Sequence, residues 1–180
     1  MKNNHNSQFF ISRANKGKAM KREQSKTAGK PLDQMDRDII CLLQKNGRLT
    51  NIIISKKLGI SEATVRNRLN RLIGEDYIKI VAVSNPLKLG FEIVGIIRIE
   101  VVVQKQERVA KELEKIKSIW NIVYTTGTAD INTEFVAKSL DELNDLLLDK
   151  ISKIDGIIRT ETSLILKYIK RNYDWGTGLD

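Results

Sequence analysis

Residues 50–72, TNIIISKKLGISEATVRNRLNRL, decide how this chain is read. Their pattern predicts two short helices joined by a tight turn. Thr50 is placed to cap the first helix. Leu58-Gly59 ends it, because a glycine just past a helix takes the left-handed conformation without a Cβ clash. Ser61 caps the second helix, its oxygen taking a free N–H at Ala63 or Thr64. Val65, Leu69 and Leu72 then recur at i, i+4 and i+7 and form one apolar stripe. The opposite faces carry Thr64, Arg66, Asn67, Arg68, Asn70 and Arg71. A helix that packs on one side and offers guanidinium and amide groups on the other suits the DNA major groove. The competing reading is an ordinary helix hairpin with a solvated, charged outer face.

On the amino-terminal side, Asp33 can cap a helix running to about Asn46, with Met35, Ile39, Ile40 and Leu43 inward and Gly47 as its stop. Three helices, about 34–46, 51–58 and 62–75, are the minimum for a helix-turn-helix domain with its own core, placed at 32–76. Residues 77–91 read as a connecting strand and linker. Tyr77 to Val83 is short and β-branched, Asn85-Pro86 breaks it, and Leu87 to Gly90 is a turn.

The rhythm changes in residues 92–170. Ile93 to Val103 alternates as a strand, and Glu107 to Ile119 has helical spacing through Val109, Leu113 and Ile116. Strands are expected at Trp120 to Thr126 and Ile131 to Lys138, with Gly127 to Asp130 as the turn between them. Asp141 caps a helix to about Ile154, with Leu143, Leu146, Leu147 and Ile151 inward. Ile157 to Ile169 alternates again. The predicted class is α+β, a helix-turn-helix domain followed by a ferredoxin-like βαββαβ domain. Two helices cover one face of such a sheet. The other face calls for burial against a second copy, so a homodimer is expected. Residues 171–180 read as a tail, with Trp175 packed loosely on the body.

The chain has 180 residues, 41% of them hydrophobic, enough for one large or two small cored domains. A single cysteine, Cys41, rules out an internal disulfide and fits a reducing interior. With one Cys and one His (His5), no conventional zinc cluster forms in one chain. No apolar run approaches membrane-span length and no apolar leader is visible, so a cytoplasmic protein with no membrane partner is expected. The net charge of +9 is unevenly spread. Residues 1–31 hold eight Lys/Arg and one acid, residues 32–83 nine and six, and residues 84–180 fourteen and fifteen. Excess positive charge on the helix-turn-helix side points to a polyanion partner there. Residues 1–31 are expected to form a disordered basic arm that touches phosphate or is simply solvated.

The layout resembles the leucine-responsive/AsnC (feast-famine) transcription regulators from about Leu32 to Tyr168. The matching residues are Leu32-Asp33, Asp36-Arg37, Ile39-Ile40, Leu43 to Arg48, Asn51, Ser55-Lys56, Leu58 to Ser61, Val65, Arg68-Leu69, Arg71-Leu72, Ile78 and Asn85-Pro86. Further on they are Thr126-Gly127, Asp130, Gly156-Ile157, Thr160 and Thr162. The resemblance implies a homodimer, often built into tetramers or octamers, on pseudo-palindromic double-stranded promoter DNA. It also implies an amino acid or related small effector held at an interface between subunits, and no other cofactor.

Direct base readout is expected from Thr64, Arg66, Asn67 and Asn70, with Ser61 and Glu62 near the helix start. Glu62 would repel phosphate and can instead cap its own helix. Arg68 and Arg71 match basic family positions, assigned either to phosphates or to an intradomain salt bridge. Asn51, Lys56 and Lys57 are phosphate candidates, or plain solvated residues. The family's effector site maps onto Gly127, Asp130, Thr160 and Thr162, which read structurally as a turn and strand residues. Family members often carry an aromatic where Ala129 stands, and apolar residues where Asn132 and Thr133 stand. Those departures point to a smaller or more polar ligand than leucine, or to none. Some proteins similar to the family are haem-pathway decarboxylases that rely on histidine. The lone His5 lies in the arm, and no Ser/His/Asp, Cys/His or paired-carboxylate arrangement stands out, so no enzymatic activity is expected. A weakly specific architectural DNA binder, driven by the arm, is the alternative.

Overall fold

The computed structural model describes residues 30–177, so the expected arm lies outside the described residues apart from Lys30 and Pro31. The described chain forms two compact units. One runs to Ala82 and takes in the segment from Lys170 onward; the other is Val83–Ile169.

The first unit holds α1 (Gln34–Lys45), α2 (Asn51–Leu58) and α3 (Glu62–Gly74). Local chemistry sets each boundary. Asp33 and Asp36 form a reciprocal capping box: Asp33 Oδ1 accepts the Asp36 N–H at 2.9 Å, and Asp36 Oδ2 accepts the Asp33 N–H at 3.1 Å. The stop of α1 comes one residue before the expected Gly47. Asn46 turns to extended backbone, donates its N–H to Leu42, and accepts Arg48 N–H on its side chain. Thr50 caps α2, and Gly59 ends it at φ 67°, a conformation that a side chain would oppose. Ser61 Oγ accepts the Thr64 N–H at 3.1 Å to open α3. Ile39, Ile40, Leu43, Ile54, Val65 and Leu72 make the core, with Met35 and Leu69 only half-buried.

Tyr77 to Val83 is not a strand within this chain. The amides of Tyr77 and Ile78 both donate to Leu72 O, and their side chains pack on the helical core. The segment beyond has the β-branched composition of a strand but no strand beside it. Ile80, Val81 and Val83 are left 49%, 62% and 56% exposed.

The second unit runs β1 (Ile93–Val101), α4 (Gln106–Glu114), β2 (Ile119–Tyr124), β3 (Ile131–Ala137), α5 (Leu140–Asn144) and β4 (Ile157–Leu164). Its antiparallel sheet has the order β2-β3-β1-β4, the ferredoxin-like arrangement. Ser139, not Asp141, caps α5, accepting the Glu142 N–H at 3.2 Å; Asp141 sits in the first turn. The helix then widens to π geometry over Asp145–Ile151 before it ends. β4 stops at Leu164, short of the expected Ile169, and Leu166 and Ile169 are 96% and 87% exposed.

Ile97, Ile99, Val101, Ile131 and Phe135 join Val109, Leu113, Leu143, Leu146 and Ile151 in one core between sheet and helices. The opposite face is mixed: Val94 and Val136 pair on it, Val123 lies opposite Asn132, and polar groups occupy the rest. Arg98 bonds Glu161 at 3.3 Å and Ser163 at 3.1 Å, and Asn121 donates to Glu134 at 3.1 Å. Ion pairs and amides of this kind are compatible with water, and they stand beside the apolar Val94, Ile96, Val123 and Val136.

Gly95 makes room for the largest buried side chain of this core. A Cβ there would lie 2.6 Å from the Phe135 ring and 2.7 Å from Ser163 O. Gly95→Ala is expected to destabilise the unit by about 1–3 kcal/mol, the usual cost of overpacking, read as a lower urea midpoint in circular dichroism.

Candidate nucleic-acid interface and effector site

Helix α3 buries Val65 and Leu72 completely and leaves Glu62, Ala63, Arg66, Asn67 and Asn70 exposed on one face. Among the described residues Arg66, Lys56 and Lys57 make no ion pair, so their charge is available to a partner. Lys56 and Lys57 occupy the last turn of α2, and Asn51 is its first, half-buried residue. Ser61 and Thr64 are occupied with each other: their hydroxyls lie 2.8 Å apart, and Ser61 also holds the Thr64 N–H.

Arg68 and Arg71 turn toward α1. Arg68 Nη1 donates to Asp33 Oδ2 at 2.6 Å and to Asp36 Oδ1 at 2.8 Å, while Arg71 Nη2 pairs with Asp36 Oδ2. Arg71 also donates to Lys30 O at 3.2 Å. Of the two roles open to these arginines, the intradomain salt bridge is the one formed. Asp36, 0% exposed, is the residue that sequence reasoning missed. Its position three residues after an Asp cap signals a capping box, but the two arginines facing it come 32 and 35 residues later. Burial alone would raise the Asp36 pKa, yet hydrogen bonds from Arg68 and Arg71 outweigh it and hold the carboxyl below its ordinary value. The Arg68 hydrogen bond lowers Asp33 to about 2.

The four effector candidates lie on the second unit. Gly127 is in the exposed β2–β3 turn at φ 121°. Asp130 closes that turn: its N–H donates to Ile99 O, its carbonyl accepts from Thr125, and its Oδ2 accepts the Val101 N–H at 3.0 Å. Thr160 and Thr162 on β4 pair with Ile99 and Ile97. The turn and the threonines therefore flank β1 from opposite sides. Thr133 belongs to the core, 1% exposed, with its hydroxyl donating to Ile97 O at 3.4 Å. Asn132 lies on the other face of the sheet, opposite Arg98 in the register. Their polarity therefore cannot be read as one changed pocket wall. Among the described residues no group of His, Cys, Asp and Glu is arranged to hold a metal ion.

Residues 32–79 match the winged helix-turn-helix DNA-binding family, and residues 94–175 match the Lrp/AsnC ligand binding domain. The chain belongs to the Lrp/AsnC family of transcription regulators. An HTH-type transcriptional regulator of Pyrococcus horikoshii is 41% identical over 143 residues, covering 79% of this chain and 90% of that protein. HTH-type transcriptional regulator FL11 of Pyrococcus furiosus is 38% identical over 140 residues, covering 77% and 92%. Among solved structures, E. coli AsnC superposes with a TM-score of 0.72 at 26% identity, covering 79% of this chain and 97% of that one. A Neisseria meningitidis transcriptional regulator in complex with L-Met shares the fold, with a TM-score of 0.75 at 23% identity, covering 82% and 98%. The protein is thus a DNA-binding transcription regulator of Lrp/AsnC type with an effector-binding domain.

The Asp36 clamp makes the regulator's first unit acid-sensitive. Asp33 and Asp36 have folded pKa values below the ordinary 3.8, so their stabilisation is complete above that value and is lost as pH falls through the folded values. The urea midpoint is expected to hold between about pH 7 and 5 and to drop below about pH 4. Asp36→Asn should lower the midpoint at neutral pH by the equivalent of about 3 kcal/mol, the lower range for breaking a buried ion pair, and should flatten the acid limb.

Proposed function

We propose that this regulator binds promoter DNA sequence-specifically as a homodimer or a higher assembly, through the exposed face of α3. The observation that carries this reading is the division of α3. Its apolar stripe is buried, Arg68 and Arg71 are held by Asp33 and Asp36, and Arg66, Asn67 and Asn70 are left facing outward. Arg66 is suited to guanine O6 and N7, and Asn67 and Asn70 to adenine N6 and N7. Thr64 joins them in base readout, with Ser61 near the helix start, and Asn51, Lys56 and Lys57 would position phosphates. Arg68 and Arg71 act indirectly, by fixing α3 on α1. Residues 32–76 are the reading domain, 77–91 a connector, and 92–170 the effector and oligomerisation domain. The exposed Ile80, Val81 and Val83, and Trp120, Val123 and Tyr124 on edge strand β2, support self-association, because apolar edges favour pairing with another chain.

An amino acid or related metabolite is the proposed effector, with Gly127, Asp130, Thr160 and Thr162 as its contacts and no other cofactor. The ligand-binding domain match supports this. The effector would act by favouring one assembly or one spacing of reading helices. No described helix is long and apolar enough to cross a membrane. In this reading the regulator works on promoter DNA in the cytoplasm and carries no enzymatic activity. The second reading, an architectural binder of low specificity, draws on the eight Lys/Arg within residues 1–31.

Selection of genomic fragments by purified protein at ~150 mM salt separates the two. Specific regulation predicts a shared pseudo-palindrome. Arg66→Ala/Asn67→Ala should lose about 1–3 kcal/mol per contact on that site and change binding to random DNA little. Random fragments, retained by the double variant and lost on deleting residues 1–31, would favour the architectural reading. In a thermal-shift screen of free amino acids, a stabilising ligand should raise the melting temperature of the wild type, and less so that of Thr160→Ala/Thr162→Ala. A ligand shift unchanged in that variant would remove the threonines from the site.

A further inference from the structure

We infer that Glu62 is a base-reading residue that makes the operator demand a cytosine, read through its N4 amino group in the major groove. The inference rests on α3 being the reading helix and says what that helix selects.

Glu62 is the first residue of α3 and is exposed. It is not needed as the helix cap, because Ser61 Oγ already holds the Thr64 N–H at 3.1 Å. Arg66 stands one turn on, at the i+4 spacing that favours a Glu–Arg pair, yet no salt bridge joins the two among the described residues. Among the described residues, the reading face therefore opens with a carboxylate outside any ion pair and continues with a guanidinium outside any ion pair. The amino-terminal residues of a helix-turn-helix reading helix are the ones that reach base edges. A carboxylate there is repelled by every phosphate and can only accept hydrogen bonds.

Few groups in the major groove can satisfy it. Guanine offers N7 and O6, and thymine offers O4, all acceptors that oppose a carboxylate. Adenine offers one amino donor beside the acceptor N7, a pattern that an amide matches and a carboxylate matches by half. Cytosine offers N4 with no purine N7 beside it on its own edge. Glu62 thus selects cytosine chiefly by penalising the alternatives. Four residues of helix rise about 6 Å, close to two base steps of about 3.4 Å. The guanine taken by Arg66 should therefore lie within about two base pairs of the cytosine taken by Glu62.

Selection from a random duplex library at ~150 mM salt, with the full-length protein, tests this. Wild type, Glu62→Gln, Glu62→Ala and Arg66→Ala are run in parallel, each with a melting curve. The wild-type half-site should contain the cytosine and the nearby guanine. Glu62→Gln should shift the cytosine position toward adenine, because an amide pairs with N6 and N7. Glu62→Ala should make that position degenerate, with about tenfold weaker discrimination and tighter binding to random DNA. Arg66→Ala should relax the guanine instead. An unchanged wild-type motif in both Glu62 variants, with or without a change in melting, overturns the assignment and leaves Glu62 a helix-end charge. Absence of any motif in wild type overturns base reading by α3 as a whole, and this assignment with it.

Discussion

A carboxylate with no solvent exposure sits between α1 and α3, and the first unit is arranged around keeping it paired. Asp36 is 0% exposed, and an isolated buried charge of this kind would be too costly to keep. Three partners meet the cost: the Asp33 N–H, Arg68 and Arg71. The same acid thus serves the capping box of α1 and the orientation of α3. Two of the four arginines in the first unit's helices are thereby held inside the domain, on a helix that has only three arginines. The clamp therefore decides which side chains remain for a polyanion. Arg66, Asn67 and Asn70 face outward because the arginines one and four positions beyond Asn67 are anchored inward.

The second unit follows a different constraint, set by packing. One face of its sheet is filled by Ile, Val and Phe against two helices, and the fit is close enough that Gly95 tolerates no Cβ beneath Phe135. The other face is crossed by hydrogen bonds between charged and amide side chains, from β1 to β4 and from β2 to β3. Apolar groups left exposed include Trp120, Val123 and Tyr124 on edge strand β2 and Ile80, Val81 and Val83 in the connector. Any assembly of this chain has to be reasoned from those edges as well as from the sheet face.

The effector candidates already have structural roles. Asp130 holds the start of β3 against β1 through backbone and side-chain bonds, and Gly127 supplies the positive φ of the turn. A ligand at this turn would meet a carboxylate that already accepts one backbone N–H. Binding there would be felt along β1, which carries the turn on one side and Thr160 and Thr162 on the other.

Much of this was legible in the residues themselves, because helix ends and strand alternation are local. Thr50, Gly59 and Ser61 are read as caps by their types and spacing, and they cap. The βαββαβ order follows from switches between period 2 and period 3.6, and the second unit has that order along the chain. Local misreadings came where two residues competed for one role, Asn46 against Gly47 and Ser139 against Asp141. Tyr77 to Val83 shows a different limit: its composition suits a strand, but a strand also needs a neighbour, and the described residues provide none. Tertiary structure alone decided the fate of the charges and of the sheet's second face. Arg66 and Arg68 are alike in sequence, and only the arrival of Asp36 from another helix separates an available guanidinium from one tied inside the domain. Pairing between residues more than thirty positions apart depends on how helices cross, and no local pattern encodes that.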